Sequence, residues 1–195
     1  MNLIFASNNI YKLKEVSAIL NGIVSVKSLN DAGIAEDIAE TGNTLEENAF
    51  IKADYVYRKS QQDCFADDTG LFVDSLNGMP GVISARFAGE HCSPQDNIEK
   101  LLSLLEKESN RKAYFKTVIC LIQNGKEKYF EGVINGTISR AARGTNGFGY
   151  DPVFIPEGFI KTFAELSSEE KNSLSHRARA VKRMRQLLAS LSTKK

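Results

Sequence analysis

With 195 residues and 42% hydrophobic side chains, the chain is long enough to bury a core without disulfides or a structural metal, and a single domain, residues 1–195, is expected. Its 25 Lys and Arg nearly balance 24 Asp and Glu, leaving a formal charge of +1, so net charge names no partner and gives no sign of nucleic-acid binding. The three cysteines (Cys64, Cys92, Cys120) are far apart without a C-x-x-C pair, and the only histidines are His91 and His176, which argues against a disulfide framework or a His/Cys zinc site and leaves carboxylates to hold any metal.

The apolar run at residues 1–6 is too short for a signal segment, and nothing approaches the roughly 20 apolar residues of a membrane span. A cytoplasmic protein with no membrane partner is expected. Residues 3–6 read as a buried strand, Ser7-Asn8-Asn9 as a polar loop, and Ile10–Leu20 as a helix with Leu13, Val16, Ile19 and Leu20 at helical spacing. Residues 23–29 alternate as a second strand. Thr44-Leu45-Glu46-Glu47 is a capping-box signature for a helix to about residue 59, with Ala49, Ala53 and Val56 on its apolar stripe. Cys64-Phe65-Ala66 reads as a short strand ending in Asp67-Asp68-Thr69-Gly70, with extended chain over 71–73 and turns at Asn77-Gly78 and Pro80-Gly81.

Ser93-Pro94 is an N-cap followed by proline at the first helical position, opening a helix that carries Ile98, Leu101, Leu102 and Leu105. Three β-rich runs, 114–122, 128–134 and 136–139, are separated by Asn124-Gly125 and Asn135-Gly136, both hairpin signals, which predicts an antiparallel meander. A glycine-rich loop at 144–149 precedes an apolar run at 150–155. The chain closes with a helix to about residue 191 whose stripe, Val181, Met184, Leu187, Leu188 and Leu191, is core or dimer contact. Strands alternating with helices, then hairpins, predict an α/β fold with a mixed central β-sheet flanked by helices, in two lobes with a cleft between them.

Five segments can carry chemistry. Ser7, Asn8, Asn9, Ile10, Tyr11 and Lys12 lead from a strand end into a helix N-terminus, where amides and dipole favour an anion; an ordinary Asn-capped helix is the other reading. Asp67 and Asp68 would point to opposite sides of extended chain, so that one can hold a metal or deprotonate water, together with Glu40 or Glu36, while the other orients the loop; alternatively Asp-Asp-Thr-Gly is a polar turn. Lys52 lies five residues beyond Glu47, about 140° around the helix, so the two do not share a face. In the fourth segment, Gly147 and Gly149 free the backbone around Phe148, which can stack on a base, and Pro152 biases Asp151 to an extended conformation; Phe148 buried in the core with Asp151 as a turn residue is the other reading. In the fifth, Lys171 and His176 diverge on one unbroken helix, whereas a break with Ser175 capping a new helix makes His176 and Arg177 a cationic end.

The order of these segments resembles the inosine triphosphate pyrophosphatase family over almost the whole chain. The motifs that carry it are Ser7-Asn8-Asn9 with Lys12, Glu40-Thr41-Gly42, Glu47-Asn48-Ala49 with Lys52, Ala66-Asp67-Asp68-Thr69-Gly70, Pro80-Gly81 with Ser84-Ala85-Arg86-Phe87, Phe148-Gly149-Tyr150-Asp151-Pro152, and Ser175-His176-Arg177. The resemblance implies cleavage of inosine, xanthosine or deoxyinosine triphosphate to the monophosphate and pyrophosphate, with Mg2+ as cofactor and a homodimer as the assembly. It implies Asp68 as base or metal carboxylate with Glu40 as a second metal ligand, Thr69 as a phosphate contact, and Lys12, Lys52 and Lys171 as charge partners of the triphosphate. Phe148, Gly149, Tyr150 and Asp151, with His176 and Arg177, would bind the base; Arg177 or a loop amide would donate to the purine 6-oxygen and so reject ATP. The chain departs from the family pattern at Tyr11, where many relatives have Gly, and at Ala39, where some have a carboxylate. A pyrophosphatase for modified pyrimidine nucleotides and a non-catalytic nucleotide-binding module are the alternatives.

Overall fold

The computed structural model describes residues 1–192, with side chains to residue 190; the side chain of Leu191, assigned above to the apolar stripe, lies outside it. The strands are β1 (Asn2–Phe5), β2 (Ser25–Lys27), β3 (Cys64–Val73), β4 (Pro80–Gly81), β5 (Lys112–Gln123), β6 (Lys126–Ile138) and β7 (Phe154–Pro156). The helices are α1 (Ile10–Leu20), α2 (Leu45–Ser60), α3 (Pro94–Leu104), α4 (Ser168–Leu174) and α5 (His176–Ser192). The strands form one mixed sheet in the order β2-β1-β3-β5-β6-β7, with β4 paired to β3. β1 runs parallel to β2 and β3; the β3–β4 and β6–β7 pairs are antiparallel. The expected mixed α/β sheet with helices is therefore present. Among the described residues no helix is long and apolar enough to cross a membrane.

Contacts divide the chain into two compact units, one of residues 1–68, 117–132 and 176 onward, the other of 69–116 and 133–175. The core of the first unit joins Leu3 and Phe5 of β1, Phe65 of β3, and Ile119 and Leu121 of β5 to Val16 and Leu20 of α1 and Val181, Met184 and Leu188 of α5. The predicted C-terminal stripe is thus core. Phe5 and Phe65 stack across neighbouring strands with ring centroids 4.8 Å apart. Because side chains alternate along a strand, the residues between these, Ile4, Cys64 and Ala66, face the other way. On that side lies α2, where the Cys64 thiol donates to the Ala53 carbonyl at 3.2 Å. The core of the second unit gathers Leu71, Val73, Leu101, Phe115, Ile134, Phe154 and Phe163. Phe115 and Phe154 meet edge to face at 4.7 Å.

Several local signals act as expected. Thr44 and Glu47 close a capping box on α2, and Ser93 and Asp96 close another on α3, with Pro94 in the first turn. Asn124 and Gly125, at φ 50° and 73°, make the left-handed two-residue turn between β5 and β6. Three expectations need correction. Asn135-Gly136 is not a turn: β6 runs straight through it, and Gly136 pairs with Pro156 of β7. A Cβ on Gly136 would lie 2.3 Å from the Ile155 carbonyl oxygen and 2.6 Å from the Phe154 ring, so glycine is there for strand contact. Pro80-Gly81 likewise forms β4, and Gly70 admits it, since a Cβ on Gly70 would sit 2.6 Å from the Gly81 oxygen. Finally, Asp67 to Gly70 is not a turn but the middle of the unbroken strand β3.

Candidate active site

Strand alternation decides what the adjacent carboxylates see. Asp67, on the same side of β3 as Phe65, meets α1 and α5: its Oδ1 accepts from Lys12 Nζ at 3.0 Å and its Oδ2 from Arg177 Nε at 2.8 Å. Arg177, 1% exposed, also donates through Nη1 to Glu15 Oε2 at 2.7 Å. This is a chain of alternating charge, Lys12–Asp67–Arg177–Glu15, buried at Asp67 and Arg177 and half-buried at its two ends. Burial pushes the Asp67 carboxyl up, but Lys12 and Arg177 outweigh it and hold it well below the ordinary carboxylate range. Burial lowers the Lys12 ammonium, with Asp67 opposing.

Asp68 faces α2. Lys52 Nζ donates to Asp68 Oδ1 at 3.1 Å and also to Glu40, while Asn48 Nδ2 donates to Asp68 Oδ2 at 3.3 Å. Lys52 does diverge from Glu47, whose carboxylate instead caps the helix by accepting from the amides of Asn43 at 2.6 Å and Thr44 at 3.2 Å. Burial, and then the charge of Glu40, raise the Asp68 carboxyl above its ordinary value against the pull of Lys52. The Lys52 ammonium is raised despite burial, because Asp68 and Glu40 surround it. Two carboxylates competing for one ammonium form a locally anionic pair suited to a further cation. Glu36, the other carboxylate considered, is exposed and ion-paired to Lys59. Among the described residues no group of three or more His, Cys, Asp or Glu side chains is gathered for a metal.

The loop before α1 ends in a true Asn cap: Asn9 Oδ1 accepts from the amides of Tyr11 at 3.0 Å and Lys12 at 3.1 Å, and Ser7 Oγ accepts from Asn9 N at 3.2 Å. Asn8 Nδ2 reaches Asp37 Oδ1 at 2.8 Å, and Ile10 and Tyr11 are exposed.

In the second unit, Asp151 is the organising group. Its Oδ2 accepts from the Phe148 amide at 2.8 Å and from Lys171 Nζ, which lies 4.8 Å from the Phe148 ring centroid and 5.7 Å from that of Phe163. Asp151 sits in a turn, not in extended chain: its amide donates to the Phe148 carbonyl at 3.2 Å, and this fold-back aims its carboxylate. The loop wraps so closely that a Cβ on Gly147, at φ 77°, would fall 2.0 Å from Asp151 Oδ2. Tyr150 is a core pin, its hydroxyl donating to the Ser84 carbonyl at 2.9 Å. Thr69 is half-buried on β3. The helix break is present: Ser175 is extended at ψ 161°, so α4 stops at Leu174 with Lys171 in its last turn, and His176 begins α5.

The model of the Ham1 family matches residues 3–187. The chain belongs to the Ham1 family. It is 53% identical over 190 residues to a dITP/XTP pyrophosphatase of Flavobacterium johnsoniae, covering 97% of this chain and 99% of the relative. A dITP/XTP pyrophosphatase of Porphyromonas gingivalis is 51% identical over 187 residues, 95% and 96% of the two chains. Among solved structures, a HAM1 protein of Coxiella burnetii superposes with a TM-score of 0.89 at 37% identity over 97% and 99% of the chains, and the Staphylococcus aureus Ham1 protein with 0.86 at 39% over both full lengths.

Within this Ham1 chain the structure brings Lys12, Lys52, Glu40, Asp68, His176 and Arg177 into the first unit, and Phe148, Gly149, Tyr150, Asp151 and Lys171 into the second. Two residues escaped assignment from the sequence. Glu15 lies three residues beyond Lys12, hence on the same face of α1, but spacing alone names no partner on α5. Asn48 stood in a quoted motif, but nothing local tied it to Asp68, twenty residues on.

Proposed function

We infer that the chain hydrolyses dITP, XTP and ITP to the nucleoside monophosphate and pyrophosphate, removing non-canonical purine nucleotides before they enter DNA or RNA. The observation that carries this reading is the pair Glu40 and Asp68 held about the Lys52 ammonium in a Ham1 chain whose close relatives are named dITP/XTP pyrophosphatases. Asp68 accepts the proton of the attacking water, and Lys12 and Lys52 offset phosphate charge, with Thr69 and the loop from Ser7 to Lys12 as further phosphate contacts. Glu40 and Asp68 are the residues that would hold Mg2+, an oxygen donor pair of the kind this ion takes alongside substrate phosphates, and the bound ion would supply charge neutralisation on those phosphates.

Phe148 and Asp151, with Lys171 beside them, are the set for the base. The Arg177 guanidinium is engaged by Asp67 and Glu15, so we assign the donor to the purine 6-oxygen to the loop amides around Gly149; a Cβ on Gly149 would meet nothing within 4 Å, which leaves open space beside that loop. A cytoplasmic homodimer completes the reading, in keeping with free thiols at Cys64, Cys92 and Cys120. Pyrophosphate release from ITP, dITP and XTP against ATP, GTP, dCTP and UTP, with magnesium and with EDTA, is the test. EDTA-sensitive release confined to the first three is expected. Orthophosphate as the product, equal cleavage of ATP, or a preference for pyrimidines would overturn the reaction or the specificity, and binding without turnover would make the chain a binding module.

A further inference from the structure

Asn48 is fully buried on the first turn of α2, and none of the steps above uses it, yet its carboxamide is wholly engaged at the candidate site. Its Oδ1 accepts the Gly42 amide at 2.8 Å and its Nδ2 donates to Asp68 Oδ2 at 3.3 Å. The chemistry fixes which end is which: a backbone N–H can only donate, so it takes the carbonyl oxygen and leaves the NH2 for the carboxylate. Lys52, one turn on along the same face, holds the other carboxylate oxygen, Asp68 Oδ1, together with Glu40. With a donor on each oxygen, the plane of the Asp68 carboxylate is set. Gly42 is packed against this turn, since a Cβ there would lie 2.6 Å from Glu47 Cβ and 2.8 Å from Asn48 Oδ1.

We propose that Asn48 is a positioning residue, one buried carboxamide that fixes the Asp68 carboxylate and the 40–42 loop in a single mutual register so that Glu40 and Asp68 meet the same cation. What Asp68 then does rests on the pyrophosphatase reading; the register itself does not. Among side chains of this size, only asparagine offers a donor on one side and an acceptor on the other without first taking up a proton. Aspartate keeps the acceptor for Gly42 but sets an anionic oxygen against Asp68. Alanine loses both bonds.

Three readouts test it. Without magnesium, Asn48→Asp is expected to lower Tm by about 4 °C or more with Asp68 present and by less than half of that in the Asp68→Asn background, where the new amide can donate to the new carboxylate. Equal falls in both backgrounds overturn the contact. With dITP and magnesium, Asn48→Asp should reduce kcat by roughly 100-fold while KM changes less than about threefold, because a misaimed group costs rate and the phosphate-binding Lys12 is untouched. A lowered Tm with unchanged kcat would make Asn48 merely structural. The Gly42 amide should exchange slowly in the parent and in Asn48→Asp but fast in Asn48→Ala; slow exchange in Asn48→Ala removes the loop pin. Should the parent chain release no pyrophosphate from any nucleotide, the pyrophosphatase reading fails by itself, while the Tm cycle and the amide exchange still decide the register.

Discussion

Asp67 and Asp68 are chemically identical, adjacent and both buried, and they meet opposite fates. Asp67 sits between two cations, Lys12 and Arg177, and is held ionised. Asp68 shares one cation with a second carboxylate, takes an uncharged amide on its other oxygen, and has its pKa raised. The pair Lys52–Asp68 even looks different from its two ends: favourable to the lysine, which has two carboxylates, and insufficient for Asp68, which bears its own burial and the charge of Glu40. The lesson is that burial alone does not set a carboxylate's role; the ratio of cations to anions around it does. One face of β3 carries an ion-pair network with as many cations as anions, the other an under-neutralised one left with an appetite for cations and protons.

Substitutions break the comparison in order of size. Asp68→Asn should cost about 10³-fold in kcat for dITP while the circular dichroism of the fold is retained, since an amide neither accepts a proton nor binds magnesium well. Asp67→Asn should act on stability instead, by about 3–5 kcal/mol, because it strips a charge partner from the buried Arg177 and from the half-buried Lys12; chemical denaturation measures it. The pH dependence sharpens the contrast. A depressed carboxyl contributes stability that is present above its unfolded pKa and lost as pH falls through the folded value, whereas a raised one contributes below its unfolded pKa and loses this as pH rises through the folded value. In Tm-against-pH profiles without magnesium, Asp68→Asn should therefore gain on the parent as pH rises above the ordinary carboxylate range. The deficit of Asp67→Asn should persist there and shrink only below that range. The smallest effect is expected of Glu15→Gln, about 1–2 kcal/mol in the same denaturation, as Arg177 keeps Asp67 and a neutral acceptor.

The parts of this architecture that were legible in the sequence are those whose cause is local. The Thr44–Glu47 and Ser93–Asp96 capping boxes, the Asn124-Gly125 turn and the break at Ser175 each depend on a few consecutive residues. Asn135-Gly136 has the same letters as a hairpin, but its glycine answers to the backbone of β7, a neighbour invisible from residues 135 and 136 alone. The site divides the same way. The motifs named Asp68, Lys12 and Lys52, and strand alternation separated Asp67 from Asp68. The partners of Arg177, at sequence separations of 110 and 162 residues, could not be read from spacing.

The entry into α2 has a wider consequence. Three successive amides, of Gly42, Asn43 and Thr44, are all received by side chains of the helix's own first turn, Asn48 for the first and Glu47 for the other two. Glu40 is in that sense an outrigger of the helix rather than a passenger on the loop. The carboxylate that faces Lys52 is thereby placed from the helix side, whereas the stretch before it is moored elsewhere, Glu36 to Lys59 and Asp37 to Asn8, so that loop has two anchorages and Glu40 belongs to only one of them.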